Sequence, residues 1–283
     1  MMNFKKMFFP IGGGDELKER LYGAMLVAEY FKVHLEIFKC ESNPNSRIPI
    51  HMNLPKKIEK EISAVLETQK IEEFKSFYEI FTKTSEEVGI QISDSFVENK
   101  SSVCVKSKEG FRSTLVEEYS KYCDIVIAAA PPSGVSTATF EAAVLKSGKA
   151  VIMIPRVLKK FDTKTIIIGW NNSVEASRSV TSSIEILKEA DKVHIVSSHE
   201  YTQDDAKLDN LIQYLKHHHI DASHEITETT NIAGETLLNA ALNGNFDLIV
   251  AGAYGHKGFK ELMFGGGTKF LLENSSLPVF MSH

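Results

Sequence analysis

Gly252, Gly255 and Gly265 follow an apolar run in "DLIVAGAYGHKGFKELMFGGGTKF", with two residues inside the first interval and nine inside the second. Glycines at such a turn accept positive φ and let a ligand approach the backbone, leaving N–H groups free to face an anion. Gly265, Gly266, Gly267 and Thr268 then open a helical pattern, whose first amides and dipole favour a phosphate. Thr268 offers a cap for that helix or a hydroxyl for a phosphate oxygen. His256 and Lys257 bring positive charge nearby. This is the chemistry of a nucleotide loop, although glycine turns between strand and helix are common enough that spacing alone leaves the choice open.

The elements that must hold this loop repeat along the chain. "FDLIVAGAYG" (Phe246–Gly255) matches "CDIVIAAAPP" (Cys123–Pro132), so Asp247 corresponds to Asp124. "LPVFMS" near the end matches "KAVIMIP" (Lys149–Pro155), and "TIIIGWNNSVEASRSV" matches "KMFFPIGGGDELKERL". Two domains follow, residues 1–157 and 163–283, joined by the polar stretch Arg156–Lys164. In the second, strands are expected near Thr165–Gly169, Lys192–Ser197, Ala222–Thr227, Asp247–Ala251 and Pro278–Ser282. Helices are expected near Val174–Ala190, Asp204–His218, Ile232–Leu242 and Thr268–Asn274. Short buried β-branched runs alternating with helices predict parallel β-α-β units, and so a doubly wound α/β fold in each half. Ligands on such sheets bind outside the carboxyl ends of the strands, where strand order reverses. The openings correspond at an offset of 159 residues (Pro10 to Gly169) and the fourth strands at 123 (Asp124 to Asp247), so the first half holds 36 extra residues. Most fall in Leu54–Gly89, which reads as one long or two stacked amphipathic helices covering the sheet, or presenting a face to a partner.

The pattern Gly252, Gly255, Gly265 resembles the ATP-binding motif of the universal stress protein family, and the two-half layout resembles its tandem members. The resemblance implies a Rossmann-like, adenine nucleotide alpha hydrolase-like domain with a five-stranded parallel sheet, twice in one chain. It implies an intrachain pseudo-dimer, or a further homodimer, joined through antiparallel pairing of final strands. It also implies ATP or another adenine nucleotide, with or without Mg²⁺, its ribose and phosphates on the glycine loop and its nucleoside read by Asn171. Two residues depart from the family pattern: Gly266 stands where Ser or Thr is usual, and Asn171 where Asp is usual. Thr268 can supply the hydroxyl, and Asn keeps an acceptor while adding donors.

The first half reads as ligand-free. Ala129 and Pro132 replace Gly252 and Gly255, and Pro131 and Pro132 lack the N–H groups an amide cradle needs. The loop "IGGGDE" (Ile11–Glu16) resembles the pyrophosphate loop of ATP pyrophosphatases in Gly12, Gly13 and Asp15. Ile11 and Glu16 replace both its serines, and a turn capped by Asp15 is the plainer reading. Adjacent His217, His218 and His219 cannot face one metal from a helix, and no GxSxG elbow supports acyl transfer.

Composition narrows the class. A chain of 283 residues with 43% apolar and 24% charged residues is ordinary for a globular protein, and a net charge of −5 argues against nucleic-acid binding. Cys40, Cys104 and Cys123 form no CxxC pair and read as buried thiols of a cytoplasmic protein. No apolar run suits a membrane span or signal peptide. No residue is placed as a general base, so the reading is a nucleotide-binding regulator of the stress response with at most slow hydrolysis. The alternatives are a nucleotide-free adaptor using the long helices of the first half, or an ATP-cleaving or adenylating enzyme built on the loop at Gly12.

Overall fold

Each half places its first strand in the middle of a parallel sheet, because that strand is apolar on both faces. The computed structural model describes residues 4–12, 14–41, 56–198, 205–228, 233–254 and 266–283. In the first half, strands β1 (Lys6–Ile11), β2 (His34–Glu41), β3 (Gln91–Ile92), β4 (Ser102–Glu109), β5 (Ile125–Ala129) and β6 (Ala150–Ile154) alternate with helices. These are α1 (Leu17–Phe31), α2 (Lys56–Val88), α3 (Arg112–Tyr119) and α4 (Ala138–Glu141). The second half runs β7 (Thr165–Gly169), α5 (Val174–Leu187), β8 (Lys192–Ser198), α6 (Asp205–His217), β9 (Ala222–Thr227), α7 (Ala233–Asn243), β10 (Leu248–Gly252), α8 (Gly267–Asn274) and β11 (Val279–Ser282). The doubly wound α/β class is therefore present twice, and β3 adds a two-residue edge to the five parallel strands of the first half.

Among the described residues the strands form one eleven-stranded sheet, in the order β3-β4-β2-β1-β5-β6-β11-β10-β7-β8-β9. Every neighbour is parallel except β6 and β11, which pair antiparallel with Val279 opposite Met153, Phe280 opposite Ile152 and Met281 opposite Val151. This is the pseudo-dimer seam, and all six side chains are buried. Successive strand residues face opposite sides, so Phe280 joins one apolar layer while Val279 and Met281 join the other. Both layers contain residues of both halves.

The repeat extends to side chains that hold the strands in place. The Asp124 carboxylate accepts from the N–H groups of Lys5 and Lys6 at 2.7 and 2.9 Å. Its counterpart Asp247 accepts from the Thr165 N–H at 3.0 Å and the Thr165 hydroxyl at 2.7 Å. Each aspartate thus ties the entry of the fourth principal strand to the entry of the first. His34 Nδ1 shares a 2.8 Å hydrogen bond with Ser102 Oγ, and His194 Nδ1 shares one of 2.8 Å with Ser223 Oγ. Both link the second strand of a half to the next strand outward.

Three sequence expectations are modified. Helix α2 is a single helix of 33 residues, against 13 in its counterpart α6, so the first half's extra length goes largely into one element. The stretch Arg156–Lys164 is more than a polar connection: Leu158, Phe161 and Thr163 are buried, with Phe161 edge-on to Tyr30 and Phe31. Asp15 does not cap α1. Glu16 occupies the cap in the left-handed region (φ 58), with no side-chain hydrogen bond to the helix.

Asp247→Ala should lower the unfolding free energy by about 1–3 kcal/mol, since it strands the Thr165 amide beside the buried sheet. Urea denaturation with an unchanged m-value checks this; a loss below a few tenths would show that the strand entries do not depend on the carboxylate.

Candidate nucleotide site

Strand β7 pairs with β10 on one side and β8 on the other, so the strand order reverses at the β7–β10 boundary. A crevice forms outside the carboxyl ends of strands at such a boundary. Trp170 and Asn171 follow β7 there, and Gly252 ends β10.

The turn after β7 is built by short polar side chains. Asn171 Oδ1 accepts from the Ser173 N–H at 3.2 Å, and Asn172 takes the left-handed conformation (φ 56). Ser173 then caps α5, its Oγ accepting from the Ala176 N–H at 3.1 Å. The Asn171 oxygen is engaged in this turn. The donors it adds relative to a carboxylate are what it can offer a ligand.

Gly252 is required by close packing rather than by positive φ. A Cβ there would stand 2.7 Å from the Ala176 nitrogen and 3.0 Å from the Glu175 Cβ. The end of β10 therefore lies directly against the amino-terminal turn of α5, where unpaired amides and the helix dipole favour an anion. The left-handed residue of the described turn is Tyr254 (φ 56), and its N–H donates to Thr268 Oγ1 at 3.2 Å. Thr268 thus ties the two described ends of the glycine loop together instead of capping α8. The cap is Gly266, in extended backbone with no side-chain bond. Gly267 at the start of α8 touches α7, where a Cβ on Gly234 would lie 2.5 Å from the Gly267 carbonyl oxygen. Gly255, His256, Lys257 and Gly265 lie outside the described residues.

Sequence reasoning missed several groups. Trp170 Nε1 and Glu175 Oε2 are buried without a hydrogen-bond partner among the described residues. Buried polar atoms of this kind call for a partner, and one donor with one acceptor suits a polar, anionic ligand accompanied by a cation. The Tyr254 hydroxyl shares a 2.9 Å hydrogen bond with Ser136 Oγ of the first half. Burial pushes its pKa up to about 12, against the opposing pull of that bond, so it stays protonated. Only the left-handed turn position had a local signal, in the flanking glycines.

The equivalent crevice of the first half is filled by arginines. Arg156 donates from Nη1 to the Ala130 carbonyl at 3.4 Å and from Nη2 to the Asp15 carbonyl at 3.2 Å, while its Nε binds the Glu16 carboxylate. A Cβ on Gly12 would stand 1.9 Å from Arg112 Nη2, so that guanidinium covers the end of β1. Burial lowers the Arg20 pKa, and the neighbouring charges of Arg156 and Arg112 lower it further. Pro132 to Gly134 form a short 3-10 turn in place of an open loop. Beside this crevice, a cavity of about 600 Å³ lies between α2, the start of α1 and the end of β2, lined among others by Leu17, Lys39, Cys40, Lys70, Phe77 and Arg112.

Burial keeps the thiols protonated, raising Cys40 and Cys104 to about 11 and Cys123 to about 12. Among the described residues no three His, Cys, Asp or Glu side chains group to hold a metal ion.

The sequence model of the universal stress protein family matches residues 163–283, the half that carries this crevice. The second half of the chain belongs to the universal stress protein family. Over the whole chain, the fold is similar to a universal stress protein from Archaeoglobus fulgidus DSM 4304, with 14% identity, 99% of this chain and 98% of that chain covered, and a TM-score of 0.67. It is also similar to a functionally unknown protein from Pseudomonas aeruginosa PAO1, with 15% identity, 98% and 92% coverage and a TM-score of 0.56. No curated protein matches the chain. At these identities the structural likeness concerns the fold, so the first half shares the architecture of a universal stress protein domain while differing in its crevice.

Gly252→Ala in the universal stress protein domain should push α5 off β10 and destabilise the protein by about 1–3 kcal/mol, with loss of any ligand bound in the crevice. Thermal unfolding with and without ATP checks it. An alanine variant as stable as the parent would show that the close approach is not maintained in solution.

Proposed function

We propose that this protein binds ATP or a related adenine nucleotide in its second domain and acts as a cytoplasmic stress-response regulator rather than as an enzyme. The observation that carries the reading is the placement of Gly252 against the first turn of α5, at the point where strand order reverses. It brings backbone amides, a helix dipole and the Gly266–Thr268 turn to one crevice, the chemistry that suits a phosphate chain. Membership of the second half in the universal stress protein family supports the same ligand.

In this reading Asn171 meets the nucleoside, while Gly252, Gly255, Gly265, Gly266, Gly267 and Thr268 hold ribose and phosphates, with His256 and Lys257 adding charge. Mg²⁺ would arrive with the phosphates, and Glu175 is the acidic side chain packed beside Gly252. The domains are residues 1–157 and 163–283, and only the second takes nucleotide, since arginines fill the first crevice. Three free, buried cysteines fit a reducing compartment. Among the described residues no helix is long and apolar enough to cross a membrane.

One feature favours a second, adaptor role. Helix α2 leaves Ile58, Val65, Ile71 and Tyr78 exposed, apolar surface that a protein partner could cover.

Trp170, the only tryptophan, directly precedes Asn171, so its emission reports on the crevice. ATP titration should give a saturable change in fluorescence that adenosine reproduces only in part. Unchanged emission at millimolar ATP, together with no nucleotide co-purifying by mass spectrometry, would sink the nucleotide reading and promote the adaptor.

A further inference from the structure

Tyr254 stands at one described end of the glycine loop and touches both the other end and the first half of the chain. Its N–H donates to Thr268 Oγ1 at 3.2 Å, and its hydroxyl shares a 2.9 Å hydrogen bond with Ser136 Oγ, 118 residues away. The side chain is 9% exposed and lies in the apolar layer that includes Phe140 and Ala143 of the first half and Leu271 and Leu272 of the second. Its backbone is left-handed at φ 56, a conformation that costs a bulky residue energy and persists only where surrounding contacts impose it. A second contact lies close by. Gly134, at φ 69, approaches α8 so closely that a Cβ would stand 2.5 Å from the Glu273 Cα.

We propose that the proline-containing loop of the first half, through Ser136 and Gly134, is an intramolecular brace that positions the Tyr254 turn and α8 of the second half for the phosphates of its ligand. The inference rests on the nucleotide reading above, and it assigns Tyr254 and Ser136 as positioning residues that touch no ligand themselves. The physical reason is local. Gly266 gives α8 no side-chain cap, and Tyr254 holds a strained φ, so these two described positions draw support from outside contacts. The hydrogen bond to Ser136 and the packing of Gly134 on α8 supply it. Loss of the first half's own amide cradle and gain of this brace then come from the same segment, Pro131–Ser136. Two prolines fix the backbone that carries Gly134 and Ser136 across the seam.

The test is a double-mutant cycle of Tyr254→Phe and Ser136→Ala on the full chain, read by calorimetric titration with ATP and with adenosine. Each single change should weaken ATP by about three- to tenfold, the worth of one buried hydrogen bond. Adenosine, which has no phosphates, should be affected far less. The double variant should be no weaker than either single one, and Ser136→Thr should restore parental affinity. A purely structural role would lower stability and affect both ligands equally. Overturning results are a Ser136→Ala variant with parental ATP affinity, or effects that multiply in the double variant. If the parent protein binds neither ligand, the nucleotide reading fails on its own. The brace is then judged by amide exchange at Tyr254, which both single variants must accelerate equally and the double no further; unchanged exchange would refute it.

Discussion

The antiparallel pairing of β6 with β11 is the constraint on which the rest of the molecule depends. Each half alone would end its sheet on a strand of Ala, Val, Ile, Met or Phe side chains, with unpaired amides and carbonyls open to other chains. Joining the two edges closes both and carries the apolar layers on each face of the sheet across the seam without a break. Because the halves run in opposite directions there, α8 leads from the crevice of the second half back toward the loop that follows β5. That is how Gly134 meets Glu273 and how Ser136 reaches Tyr254.

The same backbone supports two unlike crevices. In the second half, the close approach of Gly252 to α5 brings helix amides to the point of strand reversal. In the first half, Arg156 bridges the two loops that flank the equivalent point, and Arg112 lies over Gly12. The two halves share what holds their strands together, the Asp124 and Asp247 ties and the His34–Ser102 and His194–Ser223 pairs, while their loops differ.

Much of the fold was legible because its signals are local. Short continuous apolar runs and helical periods place the strands and helices of the second half within a few residues, and the corresponding aspartates mark the repeat. What escaped has long-range causes. The bond between Tyr254 and Ser136 spans 118 positions and leaves no local pattern. Leu158 and Phe161 sit in a stretch whose charges read as a solvated linker, although their side chains turn inward against Tyr30 and Phe31. The length of α2 was visible, but its being one helix rather than two was not, since no glycine or proline marks a break or its absence decides one. At the candidate site, glycine spacing singles out Gly252, where the backbone needs room rather than a positive φ. The sequence offers Thr268 as a cap or a phosphate donor; the cap is Gly266, and the Thr268 oxygen accepts the Tyr254 amide, which only the fold brings near.

A nucleotide site in the second half alone, as proposed above, sets a stoichiometry of one ligand per chain. Equilibrium dialysis of the full-length protein with radiolabelled ATP measures this directly as a binding stoichiometry. Saturation at one ATP per chain is expected. Saturation at two per chain, or no saturable binding, would contradict it.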